Sequence, residues 1–177
     1  MKYKLLNYPI QNKNYKIKKL QFMKLQQGDS APDFTLLDSD KNEIKLSTLK
    51  GKNIVLLFFP LAFTSTCTAE LCATRDDIAS YNNLNALVFG ISVDSRFVLA
   101  KYKEEQQLNF PLLSDFNKTV SASYGCIYDT FIGMHGVSKR SAFVIDGNGI
   151  VKYAEVLESA GDLPNFVEIK NCLASLQ

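Results

Sequence analysis

The hydrophobic pattern is densest at 54–60, IVLLFFP, a seven-residue run with no polar break, preceded by Gly51-Lys52-Asn53. A short uninterrupted apolar run beside turn residues predicts a strand buried on both faces. Pro60 has no N–H to give to a ladder, so the strand is expected to end there. Thr64, Ser65 and Thr66 then offer N-cap side chains. Leu71, Thr74, Ile78 and Tyr81 recur at helical spacing, with Asp76 and Asp77 off that face. The pattern predicts one helix from this cap through Tyr81, with Glu70 in its first turn. Cys67 therefore stands where a helix leaves the end of a central strand, the place at which reactive groups of open α/β sheets collect.

The rest of the chain alternates in the same manner. Phe34 and Leu36, then Ile44 and Leu46, flank the turn cluster Ser39-Asp40-Lys41-Asn42 and predict an opening hairpin within 28–51. ALVFGISV at 86–93 predicts a second buried strand, closed by Asp94 and Ser95 as helix-cap residues. A helix carrying Val98 and Tyr102 follows, then a short strand at 110–113 and a short helix at 118–124 stopped by Gly125. Residues 126–137 read as loop with some strand. Two β-type runs, 141–146 and 149–156, are joined by Asp146-Gly147-Asn148-Gly149, a strong hairpin signal. A last helix starts at Asp162 or Pro164 and aligns Phe166, Ile169, Leu173 and Leu176. Strands alternating with helices, then a hairpin and a final helix, predict an α/β fold.

Composition changes this picture little. The 177 residues are 46% hydrophobic and 21% charged, enough for one domain with a full core. A net charge of +2 gives no reason to expect nucleic acid or anionic membrane as a partner. No apolar run approaches the ~20 residues of a membrane span. The exception is 1–24, with seven lysines and no acidic residue. It lacks the apolar core of a secretory signal and the Arg and Ser of a transit peptide. It reads as a basic extension, disordered or loosely docked, ahead of a domain at 25–177, and Met23 is an alternative start.

The four cysteines, at 67, 72, 126 and 172, include no Cys-x-x-Cys pair. They read as thiols in a reducing, cytoplasmic setting rather than a disulfide framework. With one histidine, His135, the spacing suits no zinc site. Two readings of Cys67 stand on position alone: a small buried hydrophobe or a reactive thiol. A free cysteine is only about 3% thiolate at pH 7. Making such a group about 90% thiolate requires about 3.4 kcal/mol of differential stabilisation. A helix N-terminus supplies about 0.3–2 kcal/mol, so a reactive thiol here needs a cation as well.

Pro60-x-x-x-Thr64-x-x-Cys67 resembles the active-site motif of the peroxiredoxins, thiol-dependent peroxidases of the thioredoxin fold. The segments FFPLAFT, FPLLSD and RSAFVID resemble the same family at the expected separations, and the resemblance covers nearly all of 25–176. It implies a thioredoxin-like fold, a mixed central sheet flanked by helices with an added N-terminal β-hairpin. It implies that Cys67 is the peroxidatic cysteine, oxidised by hydrogen peroxide or an organic hydroperoxide to a sulfenic acid. Thr64 would donate to the peroxide, or simply cap the helix. Pro60 would wall the pocket, or simply end the strand. Arg140, just before the strand at 141, would be the missing cation; its forked donors suit this better than the ammonium of Lys139. Glu70 would orient that arginine, or complement the helix dipole.

Cys72 divides the resemblance. Its spacing from Cys67 is that of the resolving cysteine in the peroxiredoxin Q (bacterioferritin-comigratory) branch, whereas the flanking segments are closer to the AhpE-like branch, described as one-cysteine. Residues five apart on a helix are about 140° apart around the axis, with Cα atoms roughly 8.6 Å apart. A disulfide needs Cα atoms within about 7 Å. A resolving Cys72 therefore requires the first turn to unwind, and a packing role does not. Cys172 reads as packing, and Cys126 carries no assignment.

The family further implies no metal or cofactor, a thioredoxin, glutaredoxin or similar dithiol protein as reductant, and a homodimer. Two other functions compete: a thioredoxin-type disulfide oxidoreductase, which Thr64-Ser65-Thr66-Cys67 fails for want of a first cysteine, and a non-catalytic interaction domain on the same fold.

Overall fold

A computed structural model describes residues 25–177 of the chain. The predicted extension at 1–24 lies outside the described residues. Among these residues, seven strands form one mixed sheet in the order β2-β1-β5-β4-β3-β6-β7. At its centre is β3 (Asn53–Phe58), buried along its whole length. It pairs in parallel with β4 (Ala86–Ser92) and antiparallel with β6 (Ser141–Ile145). On one side β5 (Leu112–Ser114), β1 (Thr35–Asp38) and β2 (Glu43–Lys45) complete the sheet, and on the other β7 (Val151–Val156).

The period-two alternation of β3 builds two cores. Val55 and Leu57 face one layer, where they meet α1 (Ser65–Asp76), α2 (Ile78–Asn83), α3 (Arg96–Glu105) and α5 (Phe166–Ala174) through Leu71, Tyr81, Leu99 and Ile169. Ile54, Leu56 and Phe58 face the other, packed with Phe34, Phe143 and Tyr124, just beyond the short α4 (Thr119–Ser123). A strand covered on both faces has no room for a polar side chain, which accounts for the unbroken run. No helix among the described residues is long and apolar enough to cross a membrane.

Several boundaries differ from the periodicity. The helix expected to run through Tyr81 is broken at Asp77, whose backbone leaves helical geometry (φ −106°, ψ 12°). The Asp77 carboxylate accepts the Ser80 hydroxyl and the Lys170 ammonium, a local competitor to the helical ladder. The last helix starts from Asn165, whose side-chain oxygen accepts the Glu168 N–H at 3.1 Å, not from Asp162 or Pro164. β5 begins at Leu112, two residues late, because Pro111 cannot donate to the ladder; its carbonyl accepts from Gly90. Glu70 lies beyond the first turn of α1, which starts at Ser65.

Gly90 in β4 is the register partner of Leu112 in the neighbouring β5. A Cβ there would lie 2.6 Å from Leu112 Cδ2 and 3.4 Å from Phe59 Cε1. Both neighbours are fully buried, so Gly90→Ala is expected to destabilise the fold by about 1–3 kcal/mol through overpacking. Urea unfolding of the two proteins measures this directly.

Candidate active site

The register of the sheet assembles the site. Phe58, the last residue of β3, is opposite Ser141, the first of β6. Arg140 therefore emerges beside the end of β3, where the chain turns through Pro60 into α1. Cys67 is in the first turn of α1, and residues 67 and 140, far apart in sequence, meet. Arg140 Nη2 donates to Cys67 Sγ at 3.3 Å, and both residues are 1% exposed.

Glu70 is one turn after Cys67 on the same face, fully buried. Its Oε2 accepts a charge-assisted hydrogen bond from Arg140 Nη1. Burial pushes the Glu70 carboxyl above the ordinary carboxylate range, and the Arg140 charge pulls it part of the way back. In the other direction, Glu70 and Cys67 outweigh the burial of the guanidinium and push Arg140 upward, so it stays a cation. Nη2 also donates to the Ala160 carbonyl at 2.9 Å, tying the loop after β7 to the same group. The guanidinium is thus held by a helix and a loop at once, with one N–H on the sulfur.

The turn before α1 is fixed by two bonds. Thr64 has extended N-cap geometry, but its hydroxyl makes no cap bond; it donates to the Leu61 carbonyl at 2.9 Å. The Ala62 N–H donates to Asp94 Oδ2 at 2.7 Å, and that oxygen also receives the Ser92 hydroxyl at 2.9 Å. Asp94 was legible only as a helix cap; Ser95 takes the α3 cap instead, accepting from Val98 N–H. Asp94 reaches the loop because β3 and β4 are adjacent parallel strands whose C-terminal ends lie side by side. Beneath α1, Tyr102 hydroxyl lies 3.0 Å from Thr68 Oγ1, and Phe63 packs tilted on its ring at 4.9 Å.

Above Cys67 opens a cleft of about 270 Å³. Its lining combines Pro60, Thr64, Ser65, Thr66 and Arg140 with the apolar side chains of Leu61, Phe131 and Ile132 and the loop residues Ala160 and Gly161. Phe131 and Ile132 were read only as part of a loop. Ile132 and Phe63 both hold left-handed backbone, at φ 49° and 62°. For a β-branched residue such as Ile132 this is an outlier costing of the order of 1–3 kcal/mol.

The remaining candidates lie elsewhere. Cys72 is half-buried and faces α3, its sulfur 3.7 Å from Gln106 Oε1, while Cys67 faces Arg140. Arg75 bridges to the same end of α3 by donating to the Gln106 carbonyl at 2.6 Å. Cys126 is fully buried in the second core, and burial pushes its thiol up. Cys172 is half-buried on α5, also pushed up by burial. His135 is exposed, 3.1 Å from the Asp129 carbonyl through Nδ1. Lys139 pairs with Glu158 at 2.7 Å. Among the described residues no group of three or more His, Cys, Asp and Glu side chains could hold a metal ion.

A sulfur shielded from solvent, fed by a charged donor and reached through a narrow cleft, suits attack on a small electrophile that brings its own leaving group. On a sheet of this topology that is the equipment of a thiol peroxidase. The AhpC/TSA family model matches residues 27–154. A mitochondrial thioredoxin-dependent peroxide reductase of Drosophila melanogaster is 38% identical over 144 residues, covering 76% of this chain and 58% of that protein. Alkyl hydroperoxide reductase E of Mycobacterium bovis is 38% identical over 135 residues, covering 75% and 86%. The crystal structure of the peroxidoxin BcpB from Mycobacterium tuberculosis superposes with a TM-score of 0.73 at 33% identity, covering 86% of this chain and 96% of that one. The chain belongs to the AhpC/TSA family, the peroxiredoxins, and is a thiol-dependent peroxidase with a thioredoxin-like fold.

Removing one partner of a fully buried ion pair leaves an uncompensated charge. Glu70→Ala is therefore expected to destabilise the protein by about 3–5 kcal/mol, and Glu70→Gln, which keeps an acceptor for Arg140, by less. Chemical denaturation of both variants at neutral pH checks the ordering.

Proposed function

We propose that this chain reduces hydrogen peroxide and organic hydroperoxides through Cys67, as part of antioxidant defence. The observation that carries the reading is the Arg140 Nη2 donor 3.3 Å from Cys67 Sγ at the foot of the cleft. The Cys67 thiolate attacks the terminal oxygen of the peroxide. The O–O bond breaks, its electron pair leaves with the second oxygen, and a proton makes that oxygen water or an alcohol. The sulfur becomes a sulfenic acid.

Negative charge spreads over sulfur and both oxygens as the bond breaks, so donors aimed at those atoms lower the barrier most. Arg140 supplies one N–H to the sulfur and to the incoming oxygen. Thr64, by turning its hydroxyl from the Leu61 carbonyl, supplies another. Pro60 does no chemistry and excludes water from one side. Glu70 acts through Arg140, fixing the plane of the guanidinium.

Cys72 is the resolving cysteine in this proposal. Its thiol condenses with the sulfenic acid, water leaves, and a Cys67–Cys72 disulfide forms. The two side chains point to different sides of α1, so the step requires the first helical turn to unwind. A thioredoxin, glutaredoxin or similar dithiol protein then reduces the disulfide by exchange. The domain is 25–177, with 1–24 a basic extension outside the chemistry. The setting is cytoplasmic and the assembly a homodimer.

Cys67→Ser is expected to abolish peroxide reduction in a dithiothreitol-coupled assay, and Arg140→Lys to lower kcat/KM by about 10²-fold, the scale of a lost transition-state donor. Mass spectrometry after one equivalent of hydrogen peroxide tests the resolving step. The wild type is expected to lose two hydrogens and yield a linked Cys67–Cys72 peptide, whereas Cys72→Ser gains one oxygen at Cys67. A gain of one oxygen in both proteins would make resolution external, and an unreacted Cys67 would remove the peroxidase assignment of this residue.

A further inference from the structure

The peroxide chemistry leaves the apolar side of the cleft unused. Hydrogen peroxide is about the size of two waters, and a cavity needs only about 10–15 Å³ of accessible volume for each. The cleft is about 270 Å³. Its lining includes Leu61, Phe131 and Ile132, which offer a peroxide no hydrogen-bonding side chain.

Ile132 is the unusual member. Phe131 and Met134 exchange two backbone hydrogen bonds, 2.8 and 2.9 Å, and close a two-residue loop. Both loop residues have positive φ, 49° at Ile132 and 76° at Gly133. That pattern belongs to the type I′ turn, whose first position favours Asn, Asp or Gly. The chain instead places a β-branched apolar residue there and leaves it 81% exposed. Neither backbone preference nor core burial accounts for an isoleucine at this position.

The base of the finger is fastened. Phe131 stacks on Tyr128, with ring centroids 5.0 Å apart and planes 20° apart. Tyr128 hydroxyl donates to the Glu158 carbonyl at 3.1 Å, and Lys139 lies over the Tyr128 ring while pairing with Glu158. Lys118 donates to the His135 carbonyl at 2.6 Å just past the tip. A rigid finger thus presents one apolar side chain at the mouth of a cleft whose floor is the candidate sulfur and guanidinium.

We propose that Ile132, at the tip of the 131–134 hairpin, is a specificity-determining residue that packs on the organic substituent of a hydroperoxide, biasing the enzyme toward apolar alkyl and aryl hydroperoxides over hydrogen peroxide. The inference rests on the peroxidase reading of the Cys67 site and leaves its chemistry unchanged. The sulfur takes the terminal oxygen, and the alkoxide leaves with its organic group against Leu61, Phe131 and Ile132.

The test is the ratio of kcat/KM for cumene hydroperoxide to that for hydrogen peroxide, measured on the full chain with dithiothreitol as reductant. Ile132→Asn suits the type I′ backbone and removes the apolar contact; its ratio is expected to fall about tenfold, the lower range for a lost apolar contact. Ile132→Leu retains the contact, and its ratio is expected to stay within about twofold of wild type. An unchanged ratio in Ile132→Asn overturns the proposal, as does an equal fall in Ile132→Leu. Sedimentation of the same samples separates an alternative: a fall accompanied by a change of oligomeric mass assigns Ile132 to an interface between copies and also overturns it. If the wild type reduces neither peroxide, the function proposed for Cys67 is what fails, and this inference goes with it.

Discussion

The site depends on one buried ion pair. Arg140 at the start of β6 and Glu70 on α1 are both out of water, and each is tolerable only because of the other. A guanidinium with no partner would not stay in that place, and a carboxylate with no partner would take up a proton. Held together, they leave one N–H of the arginine for the sulfur and another hydrogen bond for the Ala160 carbonyl. The pair therefore joins sheet, helix and loop around the Cys67 sulfur, and the same contacts that satisfy the buried charges also orient the donor.

The sheet brings the arginine to that pairing. Antiparallel register between β3 and β6 puts Arg140 at the end of β3. Parallel register between β3 and β4 puts Asp94 at the same end. Loops from two neighbouring strands, one arginine and the first turn of a helix thus converge there. The apolar runs that build the core do so on both faces, and the candidate site lies where those runs end.

Much of this was legible in the sequence where a local pattern and a tertiary need agree. The unbroken run of β3, the alternation of β6 and β7 and the turn at Asp146–Gly149 each follow from rules that act within a few residues. Cys67 and Arg140 were legible as candidates because their motif sits between the right kinds of element. The break at Asp77 was not, because it involves Lys170, 93 positions away. Nor was Asp94 as a loop tether, because a cap residue and a tether have the same sequence signature. Ile132 was hidden for the opposite reason: Ile-Gly is a poor hairpin signal, so the finger is visible only once its backbone angles are known.

The bond from Ala62 N–H to Asp94 has a consequence for how this surface can change. The loop is recognised there through its main chain, not through a side chain. A proline at position 62 would remove the proton that Asp94 holds and so release the loop that leads to Thr64 and Cys67. The anchor thus has a side-chain identity on one side only, at Asp94, and losing that carboxylate would free the loop as surely as a proline would.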